Sequence, residues 1–259
     1  MDWNDPKGLI HLDQTGYKVF DAVTTASLHV NPTFSRPNAF VCIDGKTYWV
    51  KGKAQQGLVA ELIAGRLASL VGAGPRAEVI RVMPEILPPD GSLNHLAGVV
   101  VGSLDQVGSV NSRELSPLLA GGEFRANAVD PQSRARTTVF HTWLGMSDAQ
   151  VLISLTDGKV MSIDHGDCFG ILEDPAGKPV VIRVDIPGVD QNVGREERYV
   201  LPAVDRIEAV TESDMLEAVA RIPAGGQWRS SAERRLAIGR WLIQRQQQVR
   251  GVMSAWMMK

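Results

Sequence analysis

The pattern of hydrophobic and polar positions early in the chain predicts a β-hairpin that ends in a lysine. Residues 39–43 and 46–51 are two runs of mainly apolar, β-prone residues, and Asp44-Gly45 joins them. Asp-Gly is typical of a tight hairpin turn, because that turn requires positive φ angles, which these two residue types tolerate. Lys51 is therefore predicted to lie at the end of a strand.

The next apolar pattern has helical spacing. From 58 to 71 the hydrophobic residues form one stripe, and Gly72 follows where a C-terminal cap belongs, so this segment is predicted to be an amphipathic helix. Glu61 falls just beside the stripe, near the edge where a charged group can reach a neighbouring strand. Residues 77–83 then predict a strand. The apolar residues 96–103 indicate either a buried strand or a connector between two lobes.

A second hairpin is predicted further along the chain. Residues 151–155 and 159–163 flank Asp157-Gly158, which is the same turn chemistry as in the first hairpin. Asp164 comes immediately after it. The rest of the chain from about residue 111 is predicted to be mainly helical, with a polar, Pro/Gly-containing stretch at 172–204 and later helices near 212–221 and 231–257.

Composition narrows the class of protein. The chain has 259 residues, of which 44% are hydrophobic and 22% charged, and its formal net charge is −2. These values are typical of a globular protein and give no electrostatic footprint for nucleic acid. No run approaches the roughly 18 apolar residues of a membrane span, and acidic residues stand where a secretory signal would be basic. We therefore expect a cytoplasmic protein without a membrane partner.

Cys42 and Cys168, far apart in apolar surroundings, are interpreted as buried hydrophobes.

Four charged residues occur in the order that phosphoryl transfer requires. That reaction needs a cation for the nucleotide phosphates, carboxylates for Mg²⁺ and a carboxylate that orients the attacking hydroxyl. Lys51 ends a strand, Glu61 lies on the following helix, and Asp148 and Asp164 flank a short hairpin, which is the general kinase layout. Taken singly, such a lysine is more typical of a solvated strand edge and such aspartates of turns. Only their joint order indicates this chemistry.

Other enzyme classes lack their motifs in this sequence. It contains neither the Gly-x-Ser-x-Gly elbow of serine hydrolases nor a dinucleotide-binding glycine fingerprint. Its histidines show no spacing typical of a zinc site. Hydrolase, dinucleotide and zinc chemistry are therefore not expected.

Three segments resemble HipA-like kinases, which are related to the phosphatidylinositol 3-/4-kinase fold. Residues 36–82 resemble the N-lobe of that family, and 143–166 resemble its catalytic loop and metal-binding turn. Residues 222–228, with the Arg-rich segment after them, are similar to the family's C-terminal part. The resemblance spans most of the chain, from about residue 17 to about residue 255.

This resemblance implies an α+β, bilobal protein-kinase-like fold that binds ATP and Mg²⁺. A small β-rich N-lobe with one helix would comprise 1–98, and a mainly helical C-lobe would comprise 99–259. The adenine would lie between the lobes against the apolar segment around Val101. The phosphate-covering loop would contribute Thr33 and Ser35, although it contains no glycine to let the backbone approach a phosphate freely.

The resemblance also implies a role for each charged residue. Lys51 would hold the α- and β-phosphates, and Glu61 would orient Lys51. Asp164 would bind Mg²⁺, and Asp148 would orient the acceptor hydroxyl.

The catalytic loop departs from the family pattern. These kinases usually carry Asn-x-Asp-Arg-x-x-x-Asn, whereas residues 146–151 of this chain are Met-Ser-Asp-Ala-Gln-Val. Asp148 is retained, Ala149 occupies the arginine position, and Gln150 is the candidate for the second metal-binding amide in a shorter loop.

Several functions follow from these observations. The leading interpretation is an ATP- and Mg²⁺-dependent phosphotransferase that acts on serine or threonine hydroxyls of a protein. The alternative is a catalytically impaired, pseudokinase-like module that docks a protein partner, because the loop lacks the arginine and asparagine. Transfer of another group, such as AMP, or use of a small-molecule acceptor stays open.

Overall fold

The first half of the protein forms a closed five-stranded β-barrel. The computed structural model describes residues 3–14, 16–25, 38–52, 57–112, 115–122, 125, 128–146, 148–169, 180–223, 228 and 230–259. The strands have the barrel order β1-β2-β3-β5-β4, in which only the β1–β4 pair is parallel. Their bounds are Val19–Thr25 (β1), Asn38–Cys42 (β2), Thr47–Lys51 (β3), Ala77–Val82 (β4) and Gly98–Leu104 (β5).

Strand alternation divides the barrel residues into an inner and an outer set. The inner residues form one hydrophobic cluster, whose members include Phe40, Tyr48, Val50, Ile80 and Val100. Because successive side chains of a strand point to opposite faces, the residues between them point outward.

The outer face of the barrel packs against one helix. Helix α2 (Leu58–Val71) lies against β4 and β5 and begins and ends at glycines in the left-handed region, Gly57 (φ 97°) and Gly72 (φ 70°). A Cβ on Gly65 would lie 2.4 Å from that of Ala77, so this glycine permits the close approach of α2 to β4. The helix predicted at 58–71 is confirmed.

The second half of the chain is mainly helical around a small antiparallel sheet. That sheet has the order β6-β7-β8, with β6 at Ser109–Asn111, β7 at Gln150–Ser154 and β8 at Val160–Ile163. The helices are α3 (Leu115–Ala120), α4 (Pro131–Leu144), α5 (Glu197–Glu208), α6 (Glu212–Val219) and α7 (Ala232–Met257), in addition to α1 (Pro6–Gln14) at the start of the chain. None of the helices in the described ranges is both long and apolar enough to cross a lipid bilayer.

The largest hydrophobic cluster joins α2 to the later helices. It contains Leu62 and Leu67 of α2, Trp143 of α4 and Leu242 of α7, all without exposed surface. Cys42 and Cys168 are both free and buried, which confirms their interpretation as small hydrophobes.

The first and last helices are tied together by one ion pair. Arg235 of α7 donates to both carboxylate oxygens of Asp13 in α1, at 3.0 and 2.5 Å. Asp13 also accepts the backbone N–H of Arg221. Arg235 is only 5% exposed, so this pair fixes α1 against α7 within the protein interior.

The structure decides one open alternative and differs from the predicted pattern in one place. Residues 98–104 form a barrel strand, so the buried-strand alternative for 96–103 is the correct one. Helix α5 starts at Glu197, inside the stretch predicted to be polar and Pro/Gly-containing, and it includes Pro202. Its buried residues, Val200, Ala203, Val204 and Ile207, supply the apolar face that packs on α4 and α7.

Candidate active site

Lys51 lies between two carboxylates that come from distant parts of the chain. It is the last residue of β3, pairs with Val101 of β5 and points away from the barrel interior. Its Nζ is 2.5 Å from Oε2 of Glu61 and also contacts Oδ1 of Asp164. The two carboxylates hold the pKa of Lys51 above its usual value, against the effect of burial, which lowers it. The structure thus brings together three of the residues singled out in the sequence.

Glu61 is far more buried than its place beside the apolar stripe indicated. It lies in the first turn of α2, and only 1% of its side chain is exposed. Its Oε2 accepts the backbone N–H of His165 at 2.8 Å in addition to the lysine. Burial alone would raise the pKa of Glu61, but the charge of Lys51 and the contacts with His165 lower it to about 2. Glu61 is therefore ionised at neutral pH and bound from two sides.

Asp164 is the solvent-facing member of this cluster. It follows β8 directly, and its side chain is 41% exposed. Its backbone has φ 58°, a left-handed conformation that aspartate tolerates better than most residues. This conformation turns the chain sharply after the strand. One carboxylate oxygen contacts Lys51 while the side chain keeps access to solvent.

Asp148 and Gln150 lie at the same end of the second sheet as Asp164. Gln150 pairs with Ile163 in the β7–β8 ladder, so the residues just before β7 and just after β8 meet at the open end of this hairpin. The Nε2 of Gln150 donates to Oδ2 of Asp148 at 3.0 Å. Asp148 itself is exposed.

The loop that carries Asp148 is held from behind by α7. Helix α4 ends at Gly145, and Arg245 of α7 donates to the carbonyl oxygens of Thr142 and Trp143 at 2.5 and 2.8 Å. The last carbonyl groups of a helix lack regular backbone partners, and that of Thr142 otherwise accepts the N–H of Gly145 at 3.3 Å, so the buried arginine adds a C-terminal cap and fixes where the loop starts.

The other predicted nucleotide contacts are Val101, Thr33 and Ser35. Val101 has no exposed surface and belongs to the hydrophobic cluster around α2. Its neighbour Val99 accepts, through its carbonyl oxygen, a hydrogen bond from the indole N–H of Trp228 at 3.0 Å. Thr33 and Ser35 lie outside the described residues.

A chain of buried polar groups behind Glu61 was not predicted from the sequence. His165 Nδ1 lies 3.4 Å from Glu61 Oε1, and His165 Nε2 is 2.8 Å from Ser162 Oγ. The same hydroxyl is 2.6 Å from His141 Nε2. All four side chains are buried. The only signal in the sequence is that His165 follows Asp164, because the contact with His141 spans elements that pattern analysis does not connect.

The donors at the open end of this site fit a hard divalent cation. Asp164, Asp148 and Gln150 offer oxygen ligands, which Mg²⁺ prefers, and Mg²⁺ commonly takes one or two protein carboxylates together with substrate phosphates. Among the described residues no group of three or more His, Cys, Asp or Glu side chains forms a ready metal cage.

Comparison with known proteins identifies the fold. No protein-family model and no curated protein sequence matches the chain. The crystal structure of the Helicobacter pylori proinflammatory kinase CtkA aligns over 93% of this chain and 98% of its own, with a TM-score of 0.56 and 12% identity. The Golgi casein kinase with Mn/ADP bound aligns over 96% and 74%, with a TM-score of 0.42 and 12% identity. The FAT and kinase domain of CtTel1 aligns over 89% and 24%, with a TM-score of 0.42 and 14% identity.

Two of these scores lie below 0.5, so the fold assignment rests on the Helicobacter pylori kinase. The chain has a mixed α/β, kinase-like fold.

Proposed function

We propose that this protein is an ATP- and Mg²⁺-dependent phosphotransferase of the HipA-like kind, acting on serine or threonine hydroxyls of a protein. The observation that carries the proposal is the position of Lys51 between Glu61 and Asp164. Kinases bind a triphosphate with a lysine that is held by a helix glutamate and faces a carboxylate from a second element. The fold shared with a kinase supports it further.

The same proposal includes a bilobal organisation. The N-lobe of 1–98 and the C-lobe of 99–259 would face each other across the Lys51–Asp164 contact. Since β5 is hydrogen-bonded to β3 and β4, we extend the small lobe proposed from the sequence, 1–98, to Leu104. The apolar segment around Val101 then lies within the small lobe, and the adenine would lie along its edge.

Each residue of the site then has one task. Lys51 binds the α- and β-phosphates, and Glu61 holds the ammonium group in place. Asp164 and Gln150 would hold Mg²⁺, which when bound supplies positive charge against the phosphate oxygens. Asp148 accepts a hydrogen bond from the acceptor hydroxyl and orients it. Lys51 contacts Asp164 directly, so a phosphate oxygen would replace part of that contact on binding.

Two measurements test binding and chemistry separately. A thermal-shift titration with ATP and Mg²⁺ reports binding, because a ligand at 100 times its Kd stabilises the folded state by about 2.7 kcal/mol. Incubation with ATP labelled at the γ-phosphate, followed by mass spectrometry of the products, reports transfer and identifies the group transferred.

A matched pair of variants sharpens this test. Asp164→Asn is expected to abolish transfer, whereas Asp167→Asn, which makes the same charge change at an exposed neighbour, is expected to retain it. If wild-type protein and Asp164→Asn behave identically in both measurements, the proposal is wrong. Nucleotide binding without transfer in the wild type would instead support the pseudokinase-like docking module, for which the altered loop around Ala149 is the motivating observation.

A further inference from the structure

The buried polar side chains of Glu61, His165, Ser162 and His141 have a defined hydrogen-bond geometry. The hydroxyl of Ser162 lies between two imidazole nitrogens, 2.8 Å from His165 Nε2 and 2.6 Å from His141 Nε2. At the other side of the His165 ring, Nδ1 lies 3.4 Å from Glu61 Oε1. Within the described part of the chain, three side-chain atoms of this group are buried and have no aligned hydrogen bond: Glu61 Oε1, His165 Nδ1 and His141 Nδ1.

The position of each proton follows from counting donors. A serine hydroxyl has one hydrogen to donate and lone pairs to accept with, so it can donate to one of the two rings and accept from the other. If His165 carried its proton on Nε2, the lone pair of Nδ1 would face the ionised Glu61 carboxylate. The favourable order is therefore His141 Nε2–H to Ser162 Oγ, Ser162 O–H to His165 Nε2, and His165 Nδ1–H toward Glu61.

Packing holds the ring of His165 and the hydroxyl of Ser162 in this orientation. His165 and Ser162 are 2% and 0% exposed. The ring of Phe140 meets that of His165 edge-on, with centroids 5.9 Å apart. The backbone N–H of Ser162 is bound to the carbonyl oxygen of Ala73 at 2.7 Å, which fixes the hydroxyl against the loop after α2.

We propose that His141 and Ser162 are positioning residues, which hold a proton on His165 Nδ1 and through it orient the carboxylate of Glu61 toward Lys51. This rests on the proposed function, since it assigns them a task in the same site. Neither residue touches the nucleotide. They act in the way that outer-shell partners fix the tautomer and orientation of a functional histidine.

The proton order can be measured without any activity. Two-bond ¹H–¹⁵N correlation spectra of the full-length protein at pH 8 distinguish protonated from unprotonated imidazole nitrogens, and the His165 signals are assigned from their loss in His165→Asn. We expect a proton on Nδ1 of His165 and on Nε2 of His141. A proton on Nε2 of His165, alone or together with one on Nδ1, overturns the proposal, because it reverses the direction in which Ser162 donates.

Variants of the outer two residues test the positioning role. In Ser162→Ala the Nε2 of His165 loses the hydroxyl that donates to it, and the rate of phosphate transfer is expected to fall about 10- to 100-fold, the usual loss for an outer-shell partner. His141→Leu removes the donor and is expected to give a similar loss, whereas His141→Gln keeps an N–H near the position of Nε2 and is expected to retain most of the rate. Unchanged rates in Ser162→Ala and His141→Leu, or equal losses in His141→Gln and His141→Leu, overturn the positioning role.

The spectra and the rate measurements together separate the failure of this inference from the failure of the proposed function. If the wild type transfers no phosphate, the proposed function fails, and the spectra still decide the proton order. If the wild type is active and the spectra show the reverse order, only the inference fails. Circular dichroism and thermal unfolding of each variant show whether it is folded. Should Ser162→Ala not fold, the wild-type spectra and the two His141 variants decide.

Discussion

Glu61 and Lys51 form an ion pair of 2.5 Å in which one partner is almost fully buried and the other is 26% exposed. The carboxylate is bound by Lys51 of the barrel and by the turn at His165, whereas the ammonium group also contacts Asp164. The pair therefore connects the interior of the protein to the open end of the site. Because the pair is largely buried, breaking it should change the free energy of unfolding as well as the function of the site.

Removing Lys51 alone is expected to destabilise the fold, because the charge of Glu61 would lose its closest partner inside the protein. In Lys51→Met the free energy of unfolding should fall by about 3 kcal/mol, the lower end of the range for breaking a buried pair. Urea unfolding of the wild type and the variant measures this. The double variant Lys51→Met/Glu61→Gln is the control and should recover most of the loss. A double variant as unstable as Lys51→Met would show that the pair is not the cause.

Acid should remove the contribution of Glu61 to stability. Its pKa is lowered from 4.5 to about 2 in the folded state, so the stabilisation is present above pH 4.5 and is lost as the pH falls through 2. The full loss attributable to this group should be about 3 kcal/mol, of which about 2 kcal/mol is lost between pH 7 and pH 3. The measurement is the difference in unfolding free energy between wild type and Glu61→Gln at pH 7 and at pH 3, which should narrow in acid. An equal difference at both pH values would contradict it.

His141 should give the protein a separate pH dependence at milder acidity. Burial, with a smaller effect of His165, lowers its pKa from 6.5 to about 3. Between these values the unfolded chain binds a proton that the folded protein does not, so stability should fall by about 1.4 kcal/mol per pH unit as the pH drops from 6 to 5. Unfolding of His141→Gln over the same range is the comparison, because glutamine does not titrate. The variant should lack this part of the slope, and an identical slope would refute the assignment to His141.

The start of α2 should not tolerate a side chain at Gly57. A Cβ there would lie 2.2 Å from the carbonyl oxygen of Gly166, and the residue has φ 97°. Gly57→Ala should therefore lose about 1 kcal/mol from the left-handed backbone and about 1 to 3 kcal/mol more from the clash. Thermal unfolding measures the sum.

The matched control for that variant is Gly45→Ala. Gly45 has φ 76°, and no atom lies within 4 Å of its added Cβ, so only the backbone cost of about 1 kcal/mol is expected. Equal losses at the two glycines would show that α2 can move away from the turn at Gly166 without cost.

The sequence predicts local elements well where one strong pattern acts alone. The stripe from 58 to 71 with a glycine after it matches α2 at both ends, and the Asp44-Gly45 turn places Lys51 at the end of β3. Strand alternation then explains why Lys51 points out of the barrel. These features depend on neighbouring residues, which periodicity and turn chemistry describe directly.

Features that depend on distant contacts could not be predicted in the same way. Glu61 lies beside an apolar stripe, and only the arrival of His165, 104 positions later in the chain, completes its burial. Helix α5 falls in a stretch that looks irregular because Pro202 is inside it, yet the apolar face of the helix fits α4 and α7. The order of Lys51, Glu61, Asp148 and Asp164 pointed to the site, whereas Ser162 and His141 carried no such signal.

The bond between Asp13 and Arg235 has a consequence for biosynthesis. The two residues are 222 positions apart, so α1 is synthesised long before α7 but cannot reach its final place until α7 has emerged from the ribosome. The barrel, whose strands all lie between Val19 and Leu104, can in contrast assemble while translation continues. Helix α1 is therefore expected to take its final place later than the barrel that follows it in the chain.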